Sequence, residues 1–132
     1  MSVTIRTTGP LFAQDAPEEL AKAVNRGLLD IAVAGGVKVQ EQLYRGHGRL
    51  TGFLRSRVAG NTVGNLHVQI DAGEHIYGAN VIYANWVEGI SERNRTSSFR
   101  GYFMFKNVYD WLKRQPKEVD EMLRNAIKEA FE

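Results

Sequence analysis

Residues 17–44 read PEELAKAVNRGLLDIAVAGGVKVQEQLY, and this stretch decides the fold class. Its apolar residues recur at three- and four-residue steps: Leu20, Val24, Leu28, Ile31, Val39 and Leu43, with Gly35 in the same series. That spacing predicts one long amphipathic helix. Pro17, Glu18 and Glu19 suit its first turn, where proline is tolerated and acids face the positive end of the helix dipole.

Gly35-Gly36 is the weak point of this helix. Each glycine inside a helix costs about 1 kcal/mol relative to alanine. The alternative is that the pair permits the close approach of another helix, or a kink. The Walker spacing of a phosphate-binding loop is absent, so this glycine pair predicts no nucleotide site.

Short strand patterns surround the helix. Residues 2–8, 54–59 and 66–71 each predict a strand, and residues 81–87 predict a central strand or the start of a short helix. In the third of these, Leu66, Val68 and Ile70 alternate with His67, Gln69 and Asp71, so one face should be buried and the other wet.

Two helices are expected at the carboxyl end, one from about residue 103 and one from about residue 117, separated by Gln115-Pro116. The sequence therefore predicts an α+β fold. A small, mostly antiparallel sheet packs against the long N-terminal helix and the C-terminal helices, in a single domain over residues 1–132.

Composition excludes several classes of protein. The chain has 132 residues, a net charge of +2 and no cysteine, which excludes a disulfide scaffold, a thiol nucleophile and a cysteine-ligated zinc site. No apolar run approaches the roughly 20 residues of a transmembrane helix, so no membrane partner is expected.

Basic residues are concentrated in one segment. Residues 45–57 contain Arg45, Arg49, Arg55, Arg57 and His47 without any acid, whereas the chain from Glu118 onward is mainly acidic. The two regions are either solvated faces or the two sides of a subunit contact. An alternative function follows from the first segment: a free nucleic-acid-binding module that uses residues 45–57.

No catalytic or metal constellation stands out. His47, His67 and His75 are too dispersed for a metal site and have the pattern of exposed histidines. Glu88 follows an apolar run and is either a strand-end charge in water or one partner of a salt bridge. A weaker alternative makes Glu88 the acid–base group of a small enzyme. We expect no enzymatic activity, no metal and no cofactor.

Residues 89–100 form a long polar loop with arginines at 93, 95 and 100. Loops of this length in a compact domain are usually functional or disordered. Aromatic residues cluster around the loop: Tyr77, Tyr83, Trp86, Phe99, Tyr102, Phe103 and Phe105. Most of them should pack in the core, some should lie at a subunit interface, and base stacking is the alternative.

Three segments carry a family resemblance: TGFLRS at 51–56, IYANWVEG at 82–89 and GYFMF at 101–105. In order and spacing they resemble the tail completion, neck or head–tail joining proteins (minor tail components) of long-tailed bacteriophages. The chain departs from the family pattern at Ile90, where threonine is common after the glycine, and at Tyr102, where proline is common.

The resemblance implies a structural virion protein without enzymatic activity. It implies a homo-oligomeric, hexameric ring at the neck of the virion, made in the host bacterial cytoplasm and placed between the capsid connector and the tail tube. Its partners would be copies of itself, the adjoining connector or stopper, and the tail terminator or tail-tube proteins. Genomic DNA would pass through the lumen independently of its sequence.

Two sets of site residues follow from the resemblance and the loop. The expected ring-interface residues are Tyr83, Trp86, Glu88, Arg93, Arg95 and Phe99. The expected contacts to DNA in the lumen are Arg93, Arg95 and Arg100.

Overall fold

A computed structural model describes residues 2–6, 18–45, 48–49, 52–114 and 116–131 of the chain. The elements in chain order are β1 (Ser2–Arg6), α1 (Glu18–Glu41), β2 (Tyr44–Arg45), β3 (Gly48–Arg49), α2 (Phe53–Arg57), β4 (Val58–Gly64), β5 (His67–Ala72), α3 (Glu74–Tyr77), α4 (Ala84–Glu88), α5 (Glu92–Thr96), α6 (Met104–Lys113) and α7 (Lys117–Phe131).

The main sheet is antiparallel and has the strand order β1-β5-β4. Ile70 on the central strand lies opposite Val3 on one side and Gly60 on the other. The pairing of β4 with β5 shifts register between Thr62 and Gly64. With α1 packed on this sheet and α6 and α7 packed on α1, the predicted α+β class is confirmed.

The long helix forms as predicted and buries the predicted stripe, from Val24 through Leu28 and Ile31 to Val39. Its glycines allow close packing, and the Gly35-Gly36 pair faces both the sheet and another helix, since Val108 of α6 also lies beside Gly35. A Cβ atom at Gly35 would lie 2.5 Å from Cδ1 of Ile70. From the sheet side, a Cβ atom at Gly60 would overlap the backbone of Ala32.

The strand predicted for residues 54–59 is wrong at its start, and for residues 81–87 one of the two predicted alternatives forms. Residues 53–57 form helix α2, and the strand begins only at Val58. In the segment 81–87, the N–H of Val81 donates to the Ala72 carbonyl oxygen, and the chain then turns because the N–H of Ala84 donates to the Val81 carbonyl oxygen. Helix α4 follows, so the short-helix alternative is the one that forms.

The strand prediction for 66–71 is confirmed, with one exception on its polar side. Leu66, Val68 and Ile70 are buried as expected, but Asp71 is also fully buried. Its carboxylate accepts hydrogen bonds from Gln69 Nε2 at 2.9 Å and from the N–H of Gly73 at 3.0 Å. These bonds satisfy the carboxylate away from water.

The two C-terminal helices are confirmed, with the interruption between Lys113 and Lys117 where Pro116 was expected to cause it. Helix α7 crosses α1 at Gly27, where a Cβ atom would lie 2.8 Å from Cδ1 of Leu123. Residues 7, 8 and 17 of the predicted elements lie outside the described residues. Within the described residues, no helix has the length and hydropathy to cross a bilayer.

Candidate subunit-contact surface

Glu88 ends helix α4 and is only 3 % exposed. Its Oε1 accepts a hydrogen bond from the N–H of Phe105 at 2.8 Å, and its Oε2 accepts one from the N–H of Lys106 at 3.0 Å. Those N–H groups belong to the first turn of α6, which has no side-chain cap of its own. Both sequence-based expectations for Glu88 were wrong, because the carboxylate is buried and forms no ion pair with any residue that the structure describes, but instead caps a helix.

Burial raises the pKa of the Glu88 carboxyl above its ordinary value, and the hydrogen bonds from the N–H groups of Phe105 and Lys106 partly oppose this rise. The first effect disfavours the charged form, and the second favours it. Since both oxygens are engaged by α6, the carboxylate acts as a structural clamp between α4 and α6.

The two ends of the predicted loop meet at Gly89 and Gly101. A Cβ atom at Gly101 would overlap the backbone of Gly89, and a Cβ atom at Gly89 would overlap the carbonyl oxygen of Arg100. Both glycines have positive φ values, of 109° and 104°. Next to them, the N–H of Tyr102 donates to the Val87 carbonyl oxygen at 2.8 Å. The segment between the two glycines is therefore tied at its base.

Residues 89–100 are more ordered than a loop, because they contain helix α5. Asn94 lies at the centre of this segment and is 3 % exposed. Its side-chain amide donates to the carbonyl oxygens of Trp86 at 3.1 Å and Phe99 at 3.2 Å, and its Oδ1 accepts from the N–H of Ser91. Sequence reasoning missed Asn94, although Ser91 and Asn94 have the spacing of a capping box.

The three arginines of the segment have different environments. Arg93 and Arg95 are exposed on α5, and the Arg93 guanidinium lies 5.3 Å from the centre of the Trp86 ring. Arg100 instead donates to the carbonyl oxygens of Asn94 at 3.0 Å and Arg95 at 3.3 Å, at the end of α5. Arg93 and Arg95 therefore present their charge outward, whereas Arg100 holds the helix end.

Three aromatic rings form a row beside α5. The centre of the Phe99 ring lies 5.0 Å from those of both Trp86 and Tyr102. All three residues are partly buried, whereas Phe105 is in the core. Tyr77, Tyr83 and Phe103 are exposed. The expectation that most of this cluster packs in the core is wrong, because only Phe105 is fully buried, three rings are partly buried and three are exposed.

The predicted interface residues fall into the same three groups. Tyr83, Arg93 and Arg95 are exposed, and Trp86 and Phe99 are partly buried. Glu88 is buried, and its carboxylate binds groups of its own subunit.

A second exposed surface lies on the other side of Tyr83. Phe53, Tyr77, Ile82 and Tyr83 line a cavity of about 410 Å³ together with Arg57, and we call this the aromatic pocket. The Arg57 guanidinium lies 3.9 Å from the centre of the Tyr77 ring and 4.8 Å from that of Phe53. No local sequence pattern predicts this pocket, because its walls come from three separate segments.

The rest of the basic segment 45–57 is only partly described. Nε of Arg55 donates to the Gln40 carbonyl oxygen at 3.2 Å. His47 and the side chains of Arg45 and Arg49 lie outside the described residues. In the described part of the chain, no three histidine, aspartate or glutamate side chains converge as metal ligands would.

Compared with known proteins, the chain matches no family model, no curated protein and no solved structure.

Proposed function

We propose that this chain is a tail completion, or head–tail joining, protein of a long-tailed bacteriophage. In this proposal it forms a homo-oligomeric, hexameric ring at the neck of the virion, between the capsid connector and the tail tube. It contacts copies of itself, the connector or stopper and the tail terminator or tail-tube proteins, while genomic DNA passes through the lumen. It makes and breaks no covalent bond.

One observation carries the proposal: the three segments of the family resemblance are neighbours in the fold. Phe53 of the first segment and Tyr83 of the second line the same pocket. Glu88 of the second segment binds the N–H of Phe105, in the third. The first two segments thus share a pocket, and the second and third are joined by a buried hydrogen bond, so that all three are adjacent in the fold as a shared function would require.

The charges and rings on this surface suit a repeated protein contact. Exposed aromatic side chains and arginines are enriched at interface hot spots. Arg93 and Arg95 project from a segment fixed at both ends, so that little conformational freedom is lost when a neighbour binds them. A ring repeats one such heterologous contact around its axis and closes on itself.

For the passage of DNA, Arg93 and Arg95 can contact phosphates without reading sequence. Such contacts must be few, because tight binding would hold the genome in place. Arg100 fits this role less well because its guanidinium already binds the end of α5.

The test is deletion of the gene in the phage that encodes the chain, followed by electron microscopy of the particles. The proposal expects filled capsids and separate tails, and expects plasmid-borne protein to restore joined virions. Labelled protein should be found at the neck. Normal joined virions after deletion, or the label at another position in the virion, would overturn it.

The alternative, a free nucleic-acid-binding module, is tested with the purified protein. It predicts binding to duplex DNA that weakens steeply with salt. The ring proposal predicts weak binding, and replacing Arg55 by glutamine should then leave it unchanged.

A further inference from the structure

The aromatic pocket exposes several large apolar side chains to water. Ile82 is 97 % exposed, and Tyr77 and Phe53 are about half exposed at 59 % and 47 %. Side chains of this size in water cost free energy in proportion to their apolar area. Contiguous exposed apolar patches generally mark interaction sites.

Arg57 gives the pocket a positive charge. Its guanidinium lies against the rings of Tyr77 and Phe53, and no carboxylate of the described residues forms an ion pair with it. Stacking fixes the guanidinium in place while leaving its hydrogen-bond donors available. The pocket is therefore complementary to an apolar side chain that lies next to a carboxylate.

The outward face of α1 has that chemistry. Val33 and Val37 lie on it and are 49 % and 45 % exposed. Asp30 and Glu41 lie on the same face, one turn before and one turn after the valines, and both are exposed. The four positions span about 16 Å of helix at 1.5 Å per residue. We call this face the α1 stripe.

Two features mark the α1 stripe as a contact surface. Exposed valine is a poor choice for a helix, since it loses side-chain freedom and has a lower propensity than leucine or alanine. In addition, neither Asp30 nor Glu41 forms an ion pair with a described residue, whereas Glu18 on the same helix pairs with Lys22. The stripe thus offers two apolar side chains between two carboxylates.

We propose that the aromatic pocket of one subunit binds the α1 stripe of a second copy of this chain. Val33 and Val37 would enter the pocket against Ile82 and Tyr77, and a carboxylate of the stripe would pair with Arg57. No residue of α1 is among those that line the pocket. The two surfaces differ, so the contact is head-to-tail and can propagate into a closed ring.

This inference rests on the proposed function for its biological purpose, because it names the contact that would hold the ring together. It is also continuous with the predicted interface, since Tyr83 belongs to both the interface set and the pocket. The proposed contact gives each subunit two different binding surfaces, the aromatic pocket and the α1 stripe. The predicted interface residues of the loop describe only one surface.

The test uses the absence of cysteine from the natural chain. Full-length protein carrying both Val37→Cys and Ile82→Cys is concentrated, cross-linked with a short bismaleimide and separated on a denaturing gel. A ladder of dimers and higher species is expected. Each single-cysteine variant should remain monomeric, because position 37 faces position 82 and not itself. Both side chains are exposed, so the substitutions should not impair folding.

The matched control combines Val37→Cys with Tyr109→Cys, since Tyr109 is 50 % exposed on α6 and lies outside both the pocket and the segment 89–100. A ladder from this control equal to that from the first pair, or no ladder from the first pair, would overturn the proposed contact.

Charge reversal checks the ionic part. In the double-cysteine background, Arg57→Glu should lower the cross-linked yield about tenfold, as loss of a partly desolvated charge pair predicts. Asp30→Arg with Glu41→Arg should do the same, and combining all three reversals should restore the ladder. An unchanged yield in the reversed variants would contradict the pairing.

The outcome is separable from that of the proposed function. Gene deletion that blocks head–tail joining, together with no ladder, would refute only this contact. A ladder together with normal virions after deletion would refute only the neck function.

Discussion

Glu88 accepts a hydrogen bond from the N–H of Phe105 at 2.8 Å, across 17 residues of chain. The bond joins the end of α4 to the start of α6 and brings together two of the three segments on which the proposed function rests. The segment between them, with α5, is thereby fixed at its base, and its exposed arginines are presented on a rigid support.

Removing the Glu88 carboxylate should destabilise the fold. Glu88→Ala leaves the buried N–H of Phe105 and the partly buried N–H of Lys106 without their acceptor, and it leaves a small cavity, at a cost of about 3 kcal/mol. Glu88→Gln keeps one acceptor oxygen and should cost about 1 kcal/mol. Urea unfolding followed by circular dichroism measures both. Exposed Glu92→Gln is the control and should change the free energy of unfolding by less than about 0.5 kcal/mol. Equal stability of the Ala and Gln variants would contradict the capping role.

We expect the contribution of Glu88 to the stability of the fold to depend on pH. Burial raises the pKa of Glu88 in the folded chain above its ordinary value of 4.5. The folded state then binds this proton more readily than the unfolded state, so the contribution of Glu88 to stability falls as the pH rises from about 4.5 through the folded pKa.

Because the chain contains other carboxyl groups, the contribution of Glu88 must be measured as a difference in unfolding free energy between two variants. The free energy of unfolding of the natural chain minus that of Glu88→Gln should decrease with rising pH above about 4.5. A difference that grows with pH would mean that the hydrogen bonds to α6 outweigh burial.

Asn94 should control the position of the predicted contact residues. Asn94→Asp removes the amide that binds the Trp86 and Phe99 carbonyl oxygens and places a carboxylate against them, at an expected cost of about 3 kcal/mol. Thermal unfolding measures the loss, and the control is Asn85→Asp, an exposed asparagine in α4. If both variants melt together, the Asn94 side chain does not hold the segment.

The elements that could be predicted are those long enough for their apolar residues to show the helical repeat. Helix α1 contains several turns, so that Val24, Leu28 and Ile31 identify its buried face by spacing alone. Helices α2 and α4 have five residues each, which is little more than one turn, and their apolar residues fit a strand equally well.

The least predictable features were the buried polar residues. Asp71, Glu88 and Asn94 look like surface residues in the sequence, yet all three are buried. Glu88 and Asn94 bind backbone groups that the fold brings to them, whereas Asp71 binds the Gln69 side chain and the N–H of Gly73. The aromatic pocket could not be predicted from the sequence for a related reason. Phe53, Tyr77 and Ile82 come from separate segments, and no local pattern connects them.

Gly60 should not tolerate even one methyl group. Gly60→Ala would place a Cβ atom against the backbone of Ala32 and Val33, which cannot move aside as a side chain can. We expect a loss of about 3 kcal/mol, at the upper end for overpacking. Gly64→Ala on the same strand is the matched control, because its Cβ atom would make an ordinary contact with His67 at 3.7 Å. Similar unfolding midpoints for both variants would contradict the close approach of α1 to β4 at Gly60.

Reversing two exposed charges should separate assembly from folding. The side chains of Asn94 and Glu88 hold the segment by hydrogen bonds to backbone groups. The side chains of Arg93 and Arg95 take no part in these bonds. Arg93→Glu with Arg95→Glu should therefore leave the far-ultraviolet circular dichroism spectrum unchanged and shift the free energy of unfolding by no more than about 1 kcal/mol, mainly from the lost stacking on Trp86. Head–tail joining in the phage should nevertheless be blocked.

The reason is that reversed charge would repel both acidic groups on a neighbouring subunit and the phosphates of DNA in the lumen. Lys22→Glu with Lys113→Glu is the matched control, since it changes net charge equally at exposed sites away from α5. Joined virions should form normally with the control and be lost with the Arg93 and Arg95 pair. Normal virion yield from both would remove α5 from the assembly contact, and loss with both would assign the effect to net charge alone.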